Sequence, residues 1–188
     1  IKKEKLNITF TGRILKDKGI IELIEAVKLL HGKFKNEIIL NIYGKIDKNN
    51  PAYISEKKIH ELLIPGFIIW HGFTNSIKEI LIHSDIYCLP SYREGIPKSI
   101  VEAMAIGRPI VTTNAPGCND TVENEINGFK VSIEDTIGLS KKLQLLIENE
   151  SLRIEMGKKS RKLFEKNFTL ERVLNQTLEI YEKVMLFS

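Results

Sequence analysis

Two stretches of this chain carry side chains suited to a phosphate-bearing ligand. The first, residues 11–19, reads Thr-Gly-Arg-Ile-Leu-Lys-Asp-Lys-Gly. Arg13 can grip a phosphate at two points, and Lys18 adds a point charge nearby. Cations at the start of a helix work against its macrodipole, so an anion between them would resolve the conflict. The plain alternative is a solvated basic loop.

The second stretch, residues 91–105, reads Ser-Tyr-Arg-Glu-Gly-Ile-Pro-Lys-Ser-Ile-Val-Glu-Ala-Met-Ala. Pro97 fits the first turn of a helix, where no amide donor is needed. The amides of Lys98 and Ser99 would then point out of the helix end, a ready anion site. Glu94 falls in the loop before that helix and Glu102 more than a turn inside it. The spacing places one carboxylate at the sugar side of a bound diphosphate and the other at its nucleoside side. Each carboxylate could accept two hydroxyl hydrogen bonds, which suits a vicinal diol. Taken alone, two glutamates at this spacing are common by chance, and both could be ordinary surface acids.

The elements that must position these groups alternate. Short apolar, β-rich runs lie at 7–11, 37–43, 67–70, 86–89, 109–113 and 129–131. Helical patterns lie between them at 18–34, 53–63, 77–83 and 97–106. This order predicts an α/β fold, a doubly wound, Rossmann-like parallel sheet of about six strands with helices on both faces. The strands read as nearly unbroken apolar runs, as a doubly covered sheet requires. The last third is helical, at 136–148, 152–166 and 170–185, with Thr169 as an N-cap. Ligands of such sheets bind beyond the carboxyl ends of the strands. That rule singles out the loops 12–18, 43–48, 72–76, 90–99 and 114–120.

Composition narrows the class. The chain has 188 residues, 43% hydrophobic and 28% charged, which fits one globular domain. A net charge of +4 suits an anionic ligand or an anionic membrane surface and is too mild to argue for nucleic acid. Cys88 sits in an apolar run and Cys118 in a Pro-Gly loop. Two unpaired cysteines predict a reducing, cytoplasmic setting. No run approaches the roughly 18 apolar residues of a membrane span. The sequence opens on Ile1 rather than Met, so a preceding segment is expected. His31, His60, His71 and His83 lack metal-ligand spacing, and only His71, beside Gly72, could line the cleft. No Gly-x-Gly-x-x-Gly follows a strand, which counts against NAD.

These features together resemble the C-terminal domain of the family-four retaining glycosyltransferases of the GT-B fold. The matching residues run in order: Gly12-Arg13, Lys18-Gly19, Gly44, Gly72, Ser84-Asp85, Pro90-Ser91, Glu94-Gly95, Glu102 to Ala105, Gly107, Pro109, Pro116-Gly117 and Asn127-Gly128. The resemblance implies that Arg13 and Lys18 hold the diphosphate of a nucleotide-sugar donor, with UDP-sugar the favoured one. It implies that Glu94 meets the donor sugar and Glu102 the ribose, and that main-chain groups at Gly72, Phe73 and Thr74 meet the base. Gly95, Ile96, Pro97, Lys98 and Ser99 would form the rest of the cradle. Arg13, Lys18 and Glu94 would carry the catalytic work, with no metal and no cofactor. Ile96-Pro97 departs from the common Phe-Gly, and this proline removes one amide from the cradle. Asp120 stands where a glutamate is common.

By the same resemblance, residues 1–188 form the donor half of a hexosyltransferase of cell-surface polysaccharide synthesis. An amino-terminal domain would bring the glycan or lipid-linked acceptor, with the protein peripheral at the inner face of the membrane. This half alone is expected to be inactive. The helix at 169–186 would cross back toward that domain, leaving Val173, Leu174, Leu178, Tyr181 and Met185 exposed. Tyr181 and Phe187 could form a partner face or ordinary core. Two rivals remain: a non-catalytic nucleotide-sugar-binding module, and a sugar-nucleotide epimerase of similar architecture.

Overall fold

The computed structural model describes residues 5–186. Six parallel strands form one sheet in the order β3-β2-β1-β4-β5-β6. They are β1 Leu6–Thr11, β2 Ile38–Tyr43, β3 Ile68–Trp70, β4 Ile86–Leu89, β5 Ile110–Thr113 and β6 Gly128–Val131. The strand order reverses between β1 and β4, which opens a crevice above their carboxyl ends. Seven α-helices flank the sheet: α1 Ile20–Phe34, α2 Glu56–Leu62, α3 Ile77–Ile82, α4 Lys98–Ala105, α5 Thr136–Glu148, α6 Glu150–Asn167 and α7 Leu170–Leu186. On one face α1 packs against α5, and on the other α4 packs against α6. The core runs through the sheet, with Ile8, Phe10, Leu40, Ile42 and Ile86 fully buried.

The expected strands and helices are all present, with three differences. The first helix is broken: residues Lys16–Lys18 form a separate 3-10 turn, and α1 begins after Gly19. Gly19 has φ +67°, and a Cβ there would lie 2.0 Å from the Pro90 carbonyl oxygen, so this close approach ends the turn. Pro97 is the N-cap of α4 rather than part of its first turn, with extended backbone at ψ 102°.

The third difference concerns the sheet. β1 and β2 are not unbroken apolar runs. Asn7, Thr9, Thr11, Asn41 and Tyr43 alternate along them with the apolar core residues. The reason is local: α3, the helix over that face, is a single short element, and it leaves a polar pocket between itself and the strands.

The lower ends of the helices share one device. Arg108 donates to the Ile82 carbonyl at the end of α3. Arg161 donates to Ala105 at the end of α4, and Arg153 to Leu146 and Ile147 in the last turn of α5. Each guanidinium satisfies carbonyls that a helix leaves unpaired and lies at the negative end of its dipole. At the other end of the chain fold, the Thr169 hydroxyl accepts from the Arg172 amide, which caps α7 as expected. α7 itself is exposed along its length, and Leu174, Leu178, Tyr181 and Met185 stand 52–71% accessible. Phe187 lies outside the described residues.

Candidate active site

The 3-10 turn, the loop from β4 to α4 and the loop after β5 meet above the crevice. Tyr92 donates its amide to the Asp17 carbonyl at 2.8 Å, and the Ser91 hydroxyl donates to the same oxygen at 3.0 Å. The Thr113 hydroxyl donates to the Ser91 carbonyl. The Glu94 amide donates to the Pro116 carbonyl at 3.2 Å. Gly117, at φ +78°, lies so close beneath this loop that a Cβ would fall 1.8 Å from the Gly95 oxygen. The segment carrying Glu94 is therefore fixed from three sides before any ligand arrives.

One cavity of about 710 Å³ occupies the crevice, within the roughly 300–1,000 Å³ usual for small-molecule sites. Arg13, Lys18, Phe73, Thr74, Glu94, Ile96, Pro97, Lys98, Ser99 and Glu102 line it, bringing together ten of the residues expected from sequence. Gly72 and Gly95 do not line it. Gly72 instead accepts the Gly44 amide at 2.8 Å, and Gly95 rests on Gly117.

Two ion pairs inside this frame were not legible in the sequence. Lys18 Nζ lies 2.6 Å from Glu94 Oε1, both side chains about 15% exposed. Arg13 Nη1 lies 2.9 Å from Asp47 Oδ2 in the loop after β2. Each cation expected to meet phosphate already holds a carboxylate. Nothing in the spacing of Asp47 from Arg13 announces the pair, because it forms across two strand ends. The amino end of α4 is bare by contrast: it has no side-chain cap and no acidic residue in its first turn. Lys98 and Ser99 thus present free amides to the cavity beside two cations, which is an anion-binding arrangement. Burial raises the Glu102 carboxyl above its usual range, while the nearby Lys98 pulls the other way.

Tyr43, Gly44, Lys45 and Asn75 also line the cavity, in the loops after β2 and β3 that the rule about strand ends singles out, although no role was assigned to them from sequence; Ile77, at the start of α3, was not expected. His71 does not line the cavity; it bonds Asn41 and stacks on Tyr43. Cys88 and Cys118 are both buried free thiols. Among the described residues, no three His, Cys, Asp or Glu side chains gather as a metal site. No described helix is long and apolar enough to cross a membrane.

The family described as glycosyl transferases group 1 matches residues 1–163. The chain belongs to this family. Among curated relatives it is 30% identical over 181 residues to the N,N'-diacetylbacillosaminyl-diphospho-undecaprenol alpha-1,3-N-acetylgalactosaminyltransferase of Campylobacter jejuni. That match covers 95% of this chain and 45% of the relative, so the chain spans about half the length of the proteins it resembles. Among solved structures, TarM of S. aureus in complex with UDP superposes with a TM-score of 0.80 at 25% identity, covering 95% of this chain and 36% of TarM. The C-terminal domain of the group 1 family protein LpcC from Francisella tularensis superposes with a TM-score of 0.77 at 24% identity, covering 88% of this chain and 87% of that one. The last likeness concerns fold, and it pairs this family member with a unit of similar size.

Proposed function

We propose that residues 1–188 are the donor-binding half of a retaining hexosyltransferase that uses a nucleotide diphosphate sugar, UDP-sugar by preference. The observation that carries this reading is the convergence of Arg13, Lys18 and the bare amino end of α4 on one cavity flanked by Glu94 and Glu102. The diphosphate lies against the cations and the amides of Lys98 and Ser99. As the glycosidic bond breaks, these groups stabilise the charge growing on the leaving diphosphate. Because cations and amides supply that charge, the proposal needs no divalent metal and no cofactor. Glu102 meets the ribose and Glu94 the sugar. UDP is favoured because TarM, at 25% identity, was solved with it.

The rest of the protein is proposed to bring a glycan or lipid-linked acceptor, by analogy with the undecaprenol-linked substrate in the name of the Campylobacter relative. Such an acceptor would place the protein at the cytoplasmic face of a membrane, held peripherally, and the net charge of +4 agrees with that surface. α7 is proposed to cross toward the acceptor half.

The test is calorimetry of the chain with UDP in excess chelator. Binding is expected, and Arg13→Ala should weaken it by about 1.5–3 kcal/mol, the range for hydrogen bonds to charged groups. Binding that appears only when magnesium is added would overturn the metal-free reading.

A further inference from the structure

One side chain separates the donor cavity from a second space. Tyr43 lines both the cavity of about 710 Å³ and a pocket of about 210 Å³ beneath α3. The smaller pocket is otherwise walled by Asn7, Thr9, Asn41, Ser76, Glu79, Ile80 and His83. Tyr43 is the one residue that the two linings share, which places it between them.

That partition is fixed in place. The Tyr43 ring stacks on His71, with centroids 4.5 Å apart and planes 11° apart. His71 is in turn held by a chain of amides anchored on backbone. Asn7 Nδ2 donates to the Lys5 carbonyl, so Asn7 Oδ1 is the acceptor. Asn41 Nδ2 donates to that oxygen at 3.0 Å, which leaves Asn41 Oδ1 as an acceptor. His71 Nε2, 2.8 Å from Asn41 Oδ1, must therefore carry the hydrogen. Each assignment follows from the one before, and the imidazole has a single orientation and tautomer.

The backbone around the partition is equally fixed. The Gly44 amide donates to Gly72 at 2.8 Å, and Trp70 Nε1 donates to the Gly44 carbonyl at 2.9 Å. These bonds tie the ends of β2 and β3 together, so the width of this end of the cavity is set by side chains. The sheet order β3-β2-β1-β4 runs from the loop with Phe73, Thr74 and Asn75, past Tyr43 and the turn with Arg13, to the loop with Glu94, and all of these residues line the cavity. Given the donor orientation proposed above, on which this inference rests, Tyr43 stands at the nucleobase.

We propose that Tyr43 sets the size of the nucleobase end of the donor site, admitting a pyrimidine and turning away a purine, with His71, Asn41 and Asn7 as positioning residues behind it. Removing the ring joins the two spaces into one. The added volume has polar walls, which suit the hydrogen-bonding edge of a larger base. The Tyr43 hydroxyl has no hydrogen-bond partner among the described residues and stands free to meet the base. Burial raises its pKa, so it remains a neutral donor near pH 7.

The experiment titrates the 188-residue chain with UDP and with GDP, by calorimetry and by the fluorescence of Trp70, the sole tryptophan. The wild-type chain is expected to prefer UDP by about tenfold or more, within the range a shaped pocket can achieve. Tyr43→Ala should erase most of that preference by weakening UDP and strengthening GDP. Tyr43→Phe, which keeps the ring, should retain the preference. His71→Ala should relax it in part, and His71→Phe, which restores a stacking partner, should recover it. A merely structural role would weaken both ligands alike and leave their ratio unchanged. The proposal is overturned if Tyr43→Ala binds UDP and keeps the wild-type ratio, or if the wild-type chain does not discriminate. Should Tyr43→Ala fail to fold, Tyr43→Leu and His71→Ala are read on the same ratio. A wild-type chain that binds neither diphosphate overturns the donor-site reading itself, a result distinct from an unchanged ratio.

Discussion

Glu94 and Glu102 share a cavity but not an environment. Glu94 is paired with Lys18 at 2.6 Å, whereas Glu102 makes no ion pair among the described residues and is held above the usual carboxylate range by burial. The difference predicts opposite fingerprints. Glu94→Ala releases Lys18 for the diphosphate, so UDP binding should hold or tighten while the sugar conjugate weakens. Glu102→Ala removes a ribose contact common to both ligands and should weaken both by roughly 1–2 kcal/mol. The sign of the pH effect follows from the raised carboxyl. Folded Glu102 holds its proton more tightly than the unfolded chain does, so its ionisation costs stability as pH rises through the folded value. Glu102→Gln should remove that cost, leaving the empty protein at least as heat-stable at pH 7 while binding UDP less well. Thermal melts across the acid range and paired titrations check both statements. If Glu94→Ala weakens UDP as much as its sugar conjugate, the division of roles is wrong.

At the scale of elements, the strands and most helix limits were legible because they rest on local rules. Apolar runs bounded by turn residues gave all six strands. Thr169 gave the cap of α7. What was illegible is what depends on elements meeting. The break between the 3-10 turn and α1 exists because Pro90, 71 residues on, brings its carbonyl against Gly19. The ion pairs of Arg13 and Lys18 join loops from different strands in the same way. The polar alternation of the paired strands β1 and β2 is faint in the sequence because in β1 it is short and its polar residues are threonines and an asparagine among isoleucine and phenylalanine. The loop after β5 illustrates the functional side of such meetings. Gly117→Ala places a methyl group into the Gly95 and Glu94 carbonyls and also strains a left-handed backbone. The expected result is displacement of Glu94, with loss of sugar-conjugate affinity out of proportion to loss of UDP affinity, measured by the same titrations. Equal affinity of the variant and the wild type for the conjugate would show that the loop does not position Glu94.

For the molecule as a whole, the exposed face of α7 matters most. Leu170, Val173, Leu174, Leu178, Tyr181 and Met185 form an exposed apolar stripe on a helix that packs against α6. Leu174→Asp with Tyr181→Asp should leave the melting of residues 1–188 nearly unchanged, within about 0.5 kcal/mol. The same pair should destabilise the whole protein if α7 crosses to the acceptor half. Residues 1–188 alone should transfer no sugar, since neither acceptor positioning nor water exclusion is complete. Robust turnover by this chain, or equal tolerance of the α7 substitutions in the whole protein, would count against the crossing.

The arginines that close the lower ends of α3, α4 and α5 have a reach beyond those ends. With the negative pole of α4 covered, its bare amino end lines the cavity as an uncompensated positive pole. The domain thereby acquires an electrical direction. A diphosphate drifting nearby is drawn toward the crevice before it touches any side chain, so the rate of capture, more than the rate of escape, is what salt would change.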